Sequence, residues 1–530
     1  MRRSTLAATL VSAVLFPLAL PNEIFSMGNP FLGLIALSPL YLGLLWADSP
    51  RRAAFVGVVF GGVSTFLANY WLMFFGDYSV WTIGGTTLVY MLYNAILGPF
   101  LWRALRADRS YRPLLFALLW TAYEFLKSVG FLAYPWSLAA YPFNMIPVVI
   151  QVSDVTGTWG LTFVAVYFSA IIAEFFSDLT TLQKLSATTV RNAVTSVILI
   201  LLVVGYGVVS LRRQIPVRGE FTVLLVQQNA DSWNTRDIAG PVATAQRLTH
   251  EGLQAASRNP DLIVWSETSL RFPYNVPQSR RWYDENPAIE PFTEFVRNLP
   301  SPIMTGSPYR AEGGEFAFHN AVLLLGQDGE IQQWYGKQQL VPFAEYVPFW
   351  ESAVVQRFFR EVVGISAIWA PGPGTRLFTV EREGGPPVTV GTPICFEDAF
   401  GYIARRFVNA GADVLINLTN NAWSLTDSAQ LQHLAAARFR AVETRRTLVR
   451  STNAGFTGVI DPWGRVVGGL PMFAEGYLIA EVPVYRPDRT SIYLRWGDYF
   501  PIVILAGLLV LLVLSAVRSP QRAESDPLSR

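Results

Sequence analysis

Seven apolar stretches occupy the first 211 residues, at about 5–21, 30–47, 53–75, 81–104, 113–131, 158–176 and 193–211, and an eighth lies near 499–517. Each is long enough to cross a hydrocarbon layer as a helix, so much of the chain is expected to fold in lipid. Composition agrees: 51% of the 530 residues are hydrophobic and 15% charged, and the mean hydropathy of +0.31 exceeds that of an ordinary soluble protein. The first stretch follows Arg2 and Arg3 like a signal peptide, but Leu-Pro-Asn-Glu is no small-residue cleavage site, and it reads as a retained helix.

Basic residues fix the expected orientation. Arg2 and Arg3, Arg51 and Arg52, Arg106, Arg109 and Arg112, and Lys184 and Arg191 fall in every second connection. The alternate connections, 22–29, 76–80 and 132–157, hold no Lys or Arg. The basic side should face the cytoplasm, so the region after the seventh helix should lie outside and the tail 518–530 inside. Arg212 and Arg213 run against this pattern but precede a long exported region, where local charge counts less. Glu124 and Lys127, three apart in the fifth stretch, are expected to neutralise each other on one helical face, the alternative being a cleft that contacts a lipid head group.

From about Phe221 the pattern changes to short strands alternating with helices. FTVLLVQQN and DLIVWSET read as strands around an amphipathic helix at 240–257. Hairpins are expected around Asp328-Gly329 and Gly384-Gly385, and DVLINLTNN reads as a strand before a helix at 428–445. The expected division is a membrane domain over 1–212, an α/β domain over 220–487, a last membrane helix at 499–517 and a tail at 518–530.

Three apolar runs of the α/β region end in reactive side chains. DLIVWSETS reaches Glu267, EIQQWYGKQQ reaches Lys337, and PPVTVGTPICFED reaches Cys395, the only cysteine, which excludes an internal disulfide. A carboxylate, an ammonium and a thiol at strand ends supply a base, an oxyanion partner and a nucleophile, the ammonium also favouring the thiolate. A lone cysteine beside apolar residues is otherwise an inert small hydrophobe. The net charge of +2 gives no reason to expect a nucleic-acid partner, and three histidines with one cysteine leave little material for a metal site. No metal or cofactor is expected.

The motifs WSETS, YGKQQLVPFAEYVPF, PICFED and NLTNNAW resemble those of the nitrilase superfamily, and within it the apolipoprotein N-acyltransferase family. The resemblance implies an α-β-β-α sandwich attached to a polytopic helical membrane domain, about eight transmembrane helices in all. It implies a Glu267-Lys337-Cys395 triad supported by Glu345 and Glu397, with Phe396 beside the nucleophile and Trp233 near the start of the domain. The implied reaction moves an acyl chain from a phospholipid such as phosphatidylethanolamine to the α-amino group of a diacylglyceryl-cysteine apolipoprotein. It passes through a thioester, in a monomeric enzyme of the bacterial inner membrane whose catalytic domain faces outward. Gln339, Ala344, Phe396, Asn421 and Ser424 depart from the family pattern, which bears on substrate preference. Residues 346–368, rich in aromatics, are either a lid on the bilayer or an ordinary packed helix. Competing readings are a tethered amidase using water as acceptor and an inactive scaffold.

Overall fold

The computed structural model describes residues 3–230, 236–311, 318–364, 369–382 and 384–523. Its first part is helical: α1 (Arg3–Ala19), α2 (Pro30–Ile35), α3 (Ser38–Trp46), α4 (Pro50–Ala68), α5 (Ser79–Ala104), α6 (Arg112–Leu126), α7 (Pro147–Ile150), α8 (Ser153–Thr156), α9 (Thr158–Thr181) and α10 (Ala187–Arg212). Four of these, α4, α5, α9 and α10, are long and apolar enough to cross a membrane. The apolar helices at 3–19 and 30–46 are shorter, as is the described apolar part, 499–514, of the last helix. The stretch expected to form one helix at 30–47 is broken after Ile35, where Pro39 at the start of α3 has no N–H to continue the ladder. The fifth stretch stops at Leu126, and Gly130 at φ +82° turns the chain.

Helices α4 and α5 pack closely because they meet through glycine. A Cβ on Gly57 would strike the Asn94 carbonyl, and one on Gly98 would strike the Ala53 carbonyl. Small residues at such crossings let backbones approach without a hydrophobic driving force.

Two six-stranded sheets follow. The strands are β1 (Val217–Gln227), β2 (Leu262–Val264), β3 (Ile303–Arg310), β4 (Phe318–Leu325), β5 (Ile331–Gly336), β6 (Leu377–Val380), β7 (Val388–Gly391), β8 (Val414–Thr419), β9 (Leu448–Thr452), β10 (Gly458–Ile460), β11 (Val466–Gly469) and β12 (Gly476–Tyr485). One sheet runs β12-β1-β2-β3-β4-β5 and the other β11-β10-β9-β8-β7-β6. Both expected hairpins form, β4 with β5 and β6 with β7, each antiparallel.

Alternation along β1 sorts its side chains into two cores. Phe221, Val223 and Leu225 face the second sheet, where they join Val390, Val414, Ile416 and Val449. Leu224 and Val226 face the other way, against α11 (Ala239–Ala255) and α13 (Phe292–Asn298), with α12 (Pro277–Glu285) beside them. On the far side of the second sheet lie α15 (Gly401–Asn409) and α16 (Asp427–Thr444), which completes helix, sheet, sheet and helix layers. The short helices α14 (Ala353–Phe358) and α17 (Ile492–Trp496) precede the last helix, α18 (Tyr499–Ala523).

Helix α16 ties the sandwich to the membrane helices. Every residue from Ser428 to Thr444 is buried. Glu23 accepts from the Ser428 N–H and hydroxyl at 3.2 and 2.6 Å. Gln432 accepts from the indoles of Trp71 and Trp136 at 3.3 and 2.8 Å. Arg445 reaches Asp154, Gln151 and Ser210 at 2.6, 2.6 and 2.9 Å. The buried side chains of Gln432 and Arg445 are thus paired across this seam, which fixes how the two parts meet.

Glu124 and Lys127 do not pair directly as their spacing suggests. Glu124 accepts from Trp120 Nε1, Ala139 N and Thr162 Oγ1 at 2.9, 2.9 and 2.8 Å. Lys127 donates to the Trp136 carbonyl at 2.7 Å, with the rings of Tyr90 and Tyr123 nearby. The chain doubles back after α6 and offers each group a closer partner. Both line an interior cavity with Asn69, Asn94 and Tyr134, of about 20 Å³, which is room for about one water.

Candidate active site

Glu267 stands three residues past the end of β2. The turn carrying it presses onto β3 at Gly306, where any Cβ would meet the Thr268 N–H and Glu267 Cα. Its buried carboxylate accepts from Asn320 Nδ2 at 2.8 Å and from the Asn420 N–H at 2.6 Å.

Lys337 directly follows β5 and is 1% exposed. Its backbone is held on both sides, donating to the Asn320 carbonyl at 2.8 Å and accepting from Gly372 N at 2.7 Å. The ammonium lies 2.8 Å from Glu345 Oε1 and 3.7 Å from Glu267 Oε1. Glu345 is oriented by the Val341 N–H at 2.8 Å and by Asn320 Nδ2 at 3.1 Å. Asn320, unmarked by the sequence reading, therefore joins the two carboxylates that flank the ammonium. Its place on β4, the strand paired with the one that Lys337 directly follows, was the available signal.

Cys395 begins the short helical turn Cys395–Ala399, four residues after β7. It is half-buried and holds φ at +49°, a left-handed conformation uncommon for a side-chain-bearing residue. Glu397 closes the turn: its carboxylate accepts from the N–H groups of Ile394, Gln338 and Gln339 at 2.8, 2.7 and 3.0 Å. Tyr335 Oη adds a contact at 3.0 Å. Glu397 thus ties the turn of Cys395 to the residues just after Lys337.

Electrostatics divide the work among these groups. Burial alone pushes the Lys337 ammonium toward neutrality, but Glu345 and Glu267 outweigh it and hold the group protonated, above the usual lysine range. Burial pushes the Cys395 thiol well above its ordinary value and Glu267 adds to this, against the pull of Lys337. The Lys337 ammonium pulls the thiol toward the thiolate, as expected from the sequence, but burial and the carboxylates of Glu267, Glu345 and Asp398 outweigh it. Glu267 is the carboxylate whose charge the thiol feels most. Burial also raises Glu397 to about 7, against its hydrogen bonds from Ile394, Gln339 and Gln338.

The side of the site toward the membrane helices is aromatic. Phe396 stacks on Tyr134 and Trp136 with centroids 6.0 and 6.2 Å apart. Trp423 lies against Trp71 and Phe75. Gln339 accepts from Tyr402 Oη at 2.7 Å. In the aromatic segment, Val347 and Val363 form a small core with Trp350 and Phe359, while Phe349 is 76% exposed. Tyr78 Oη donates to the Gly364 carbonyl at 3.1 Å, so the segment's end touches the tip of a membrane helix. Residues 365–368 of this segment, and Trp233, lie outside the described residues.

His433 lies behind the turn of Cys395, in contact with Asp398 at 2.5 Å. Among the described residues no group of three or more His, Cys, Asp or Glu could hold a metal ion.

A family model described as carbon-nitrogen hydrolase matches residues 222–488, and one described as the apolipoprotein N-acyltransferase N-terminal domain matches residues 12–171. The chain is similar to apolipoprotein N-acyltransferase 2 of Treponema denticola, at 38% identity over 94% of this chain and 95% of that protein. It is 37% identical to apolipoprotein N-acyltransferase 2 of Treponema pallidum, covering 95% and 93% of the two chains. The apolipoprotein N-acyltransferase of Borreliella burgdorferi is 28% identical over 94% and 93%.

Proposed function

Because this chain belongs to the apolipoprotein N-acyltransferase family, we propose that it acylates the α-amino group of a diacylglyceryl-cysteine apolipoprotein through a Cys395 thioester. The acyl donor is a membrane phospholipid, phosphatidylethanolamine being the expected one. Glu267 takes the thiol proton as sulfur attacks the ester carbonyl, and Lys337 stabilises the tetrahedral oxyanion. The ester C–O bond then breaks, the proton passes to the departing alkoxide, and a lysophospholipid leaves. The lipoprotein amine attacks the thioester next, giving its proton to Glu267. The C–S bond breaks, and the amide and the free thiol result. Ester to thioester to amide ends downhill overall, so no nucleotide is required.

The observation that carries this reading is the buried Glu267 and Lys337 pair, 3.7 Å apart and coupled to the one thiol of the chain. Supporting it, the site's aromatic side includes Trp71, Phe75, Tyr134 and Trp136 from the connections between the apolar helices, which suits a lipid donor. The orientation read from the basic connections sets the sandwich outside the inner membrane, with about eight spans once α6 is counted with the four long and three shorter apolar helices.

The rival reading is hydrolysis, with water as acceptor. Incubation with acyl-labelled phosphatidylethanolamine and a synthetic diacylated lipopeptide separates them. Label in an amide-linked lipopeptide is expected; label released only as free fatty acid favours the hydrolase.

A further inference from the structure

The strained backbone of Cys395 is gripped at one atom from two directions. Its carbonyl oxygen accepts from Asn417 Nδ2 on β8 at 3.1 Å and lies 3.2 Å from His433 Nε2 on α16. The same Nε2 is 2.5 Å from Asp398 Oδ1, and Asp398 Oδ2 is paired with Arg450. Carboxylate and carbonyl are both acceptors, so Nε2 carries the hydrogen and shares it between them. His433 Nδ1 faces Asn421 Nδ2 at 3.2 Å, an amide that donates to it and selects this tautomer. The face of the ring packs on Trp136 at 5.4 Å between centroids. All of these side chains are buried.

The mechanism gives His433 nothing to do, and its contact with the cysteine is to the main chain. A left-handed cysteine persists only where its surroundings over-determine it. Asn417 alone leaves the carbonyl free to swing, whereas two donors from different elements fix the peptide plane and with it the direction of the Cα–Cβ bond. We propose that His433, oriented by Asp398 and Asn421, is a positioning residue that holds Cys395 in its attacking conformation. This rests on the nucleophile assignment above.

The test uses the full-length protein in lipid nanodiscs, comparing His433→Leu, which has no donor, with His433→Gln, whose amide can donate. Two readouts are taken: kcat and KM for acyl transfer, and the rate of Cys395 alkylation by iodoacetamide, which needs no lipid chemistry. For His433→Leu, kcat is expected to fall on the order of tenfold to a hundredfold with KM within about twofold, the signature of lost positioning. Alkylation is expected to change by at least about threefold, and His433→Gln should recover most of both. Unchanged kcat and alkylation in His433→Leu, or a rise confined to KM, overturns the proposal. Equal damage from Leu and Gln in proteins of wild-type melting temperature overturns it too. If His433→Leu does not fold, Asn421→Leu, which leaves the histidine in place but removes the amide that selects its tautomer, must lower kcat in the same sense, and an unchanged kcat there contradicts the proposal. Failure of wild-type protein to transfer acyl groups sinks the functional reading instead, while the alkylation comparison still decides the role of His433.

Discussion

The Lys337 ammonium donates to Glu345 at 2.8 Å and stands 3.7 Å from Glu267. Glu345 therefore bears most of the neutralisation of a buried cation, and Glu267 keeps more freedom to accept a proton. Glu345→Gln keeps an acceptor but removes the charge. Burial of Lys337 is then opposed by one carboxylate fewer, so its pKa falls and the alkaline limit of activity moves to lower pH. A loss of about 3 kcal/mol in stability is expected, the low end for a broken buried pair because Glu267 remains. A pH profile of kcat alongside thermal melts checks both.

Glu397 has a folded pKa of about 7 against an ordinary 4.5. Its raised value means the folded state holds the proton more tightly than the unfolded chain. Stability from this group is thus full below about pH 4.5 and is lost as pH rises toward 7, by roughly 3 kcal/mol. Glu397→Gln cannot titrate, so the advantage of wild type over this variant should shrink as pH rises from 5 to 7. Melting temperatures of the two proteins at half-unit steps measure it, and a constant difference contradicts the assignment.

The legible part of this molecule was its local order. Glu267, Lys337 and Cys395 were each expected at the end of an apolar run, and each follows a strand, because short buried runs bounded by turn residues have few other fates. Both hairpins announced themselves by Asp-Gly and Gly-Gly. What escaped was pairing across long separations: Asn320 bridging two glutamates, and His433 meeting a carboxylate 35 residues away. No spacing rule encodes such contacts. Glu124 and Lys127 show the converse, since helical spacing predicts a direct pair that the returning chain outcompetes through Trp136 and Ala139.

The seam between sandwich and membrane helices depends on Arg445, whose guanidinium meets Asp154 at 2.6 Å in a buried setting. Arg445→Met strands that carboxylate with the Tyr206 hydroxyl at 2.6 Å as its remaining close side-chain partner. About 3 kcal/mol of stability should be lost, and adding Asp154→Asn should restore part of it. Thermal melts of the two variants in detergent show whether the pair couples in this way.

A single half-buried thiol makes orientation directly measurable. A small membrane-impermeant methanethiosulfonate reagent applied to spheroplasts should modify wild-type protein and leave Cys395→Ser untouched. Modification only after the membrane is permeabilised would place the site on the cytoplasmic side and reverse the topology drawn from the basic connections.

The central claim is that Cys395 carries the acyl group between two substrates. Intact-mass spectrometry after incubation with a phospholipid of defined chains tests it most directly. The account predicts one added acyl mass, absent in Cys395→Ser and discharged when a diacylated lipopeptide is supplied. Full product formation by Cys395→Ser, or an adduct that the lipopeptide never removes, contradicts it.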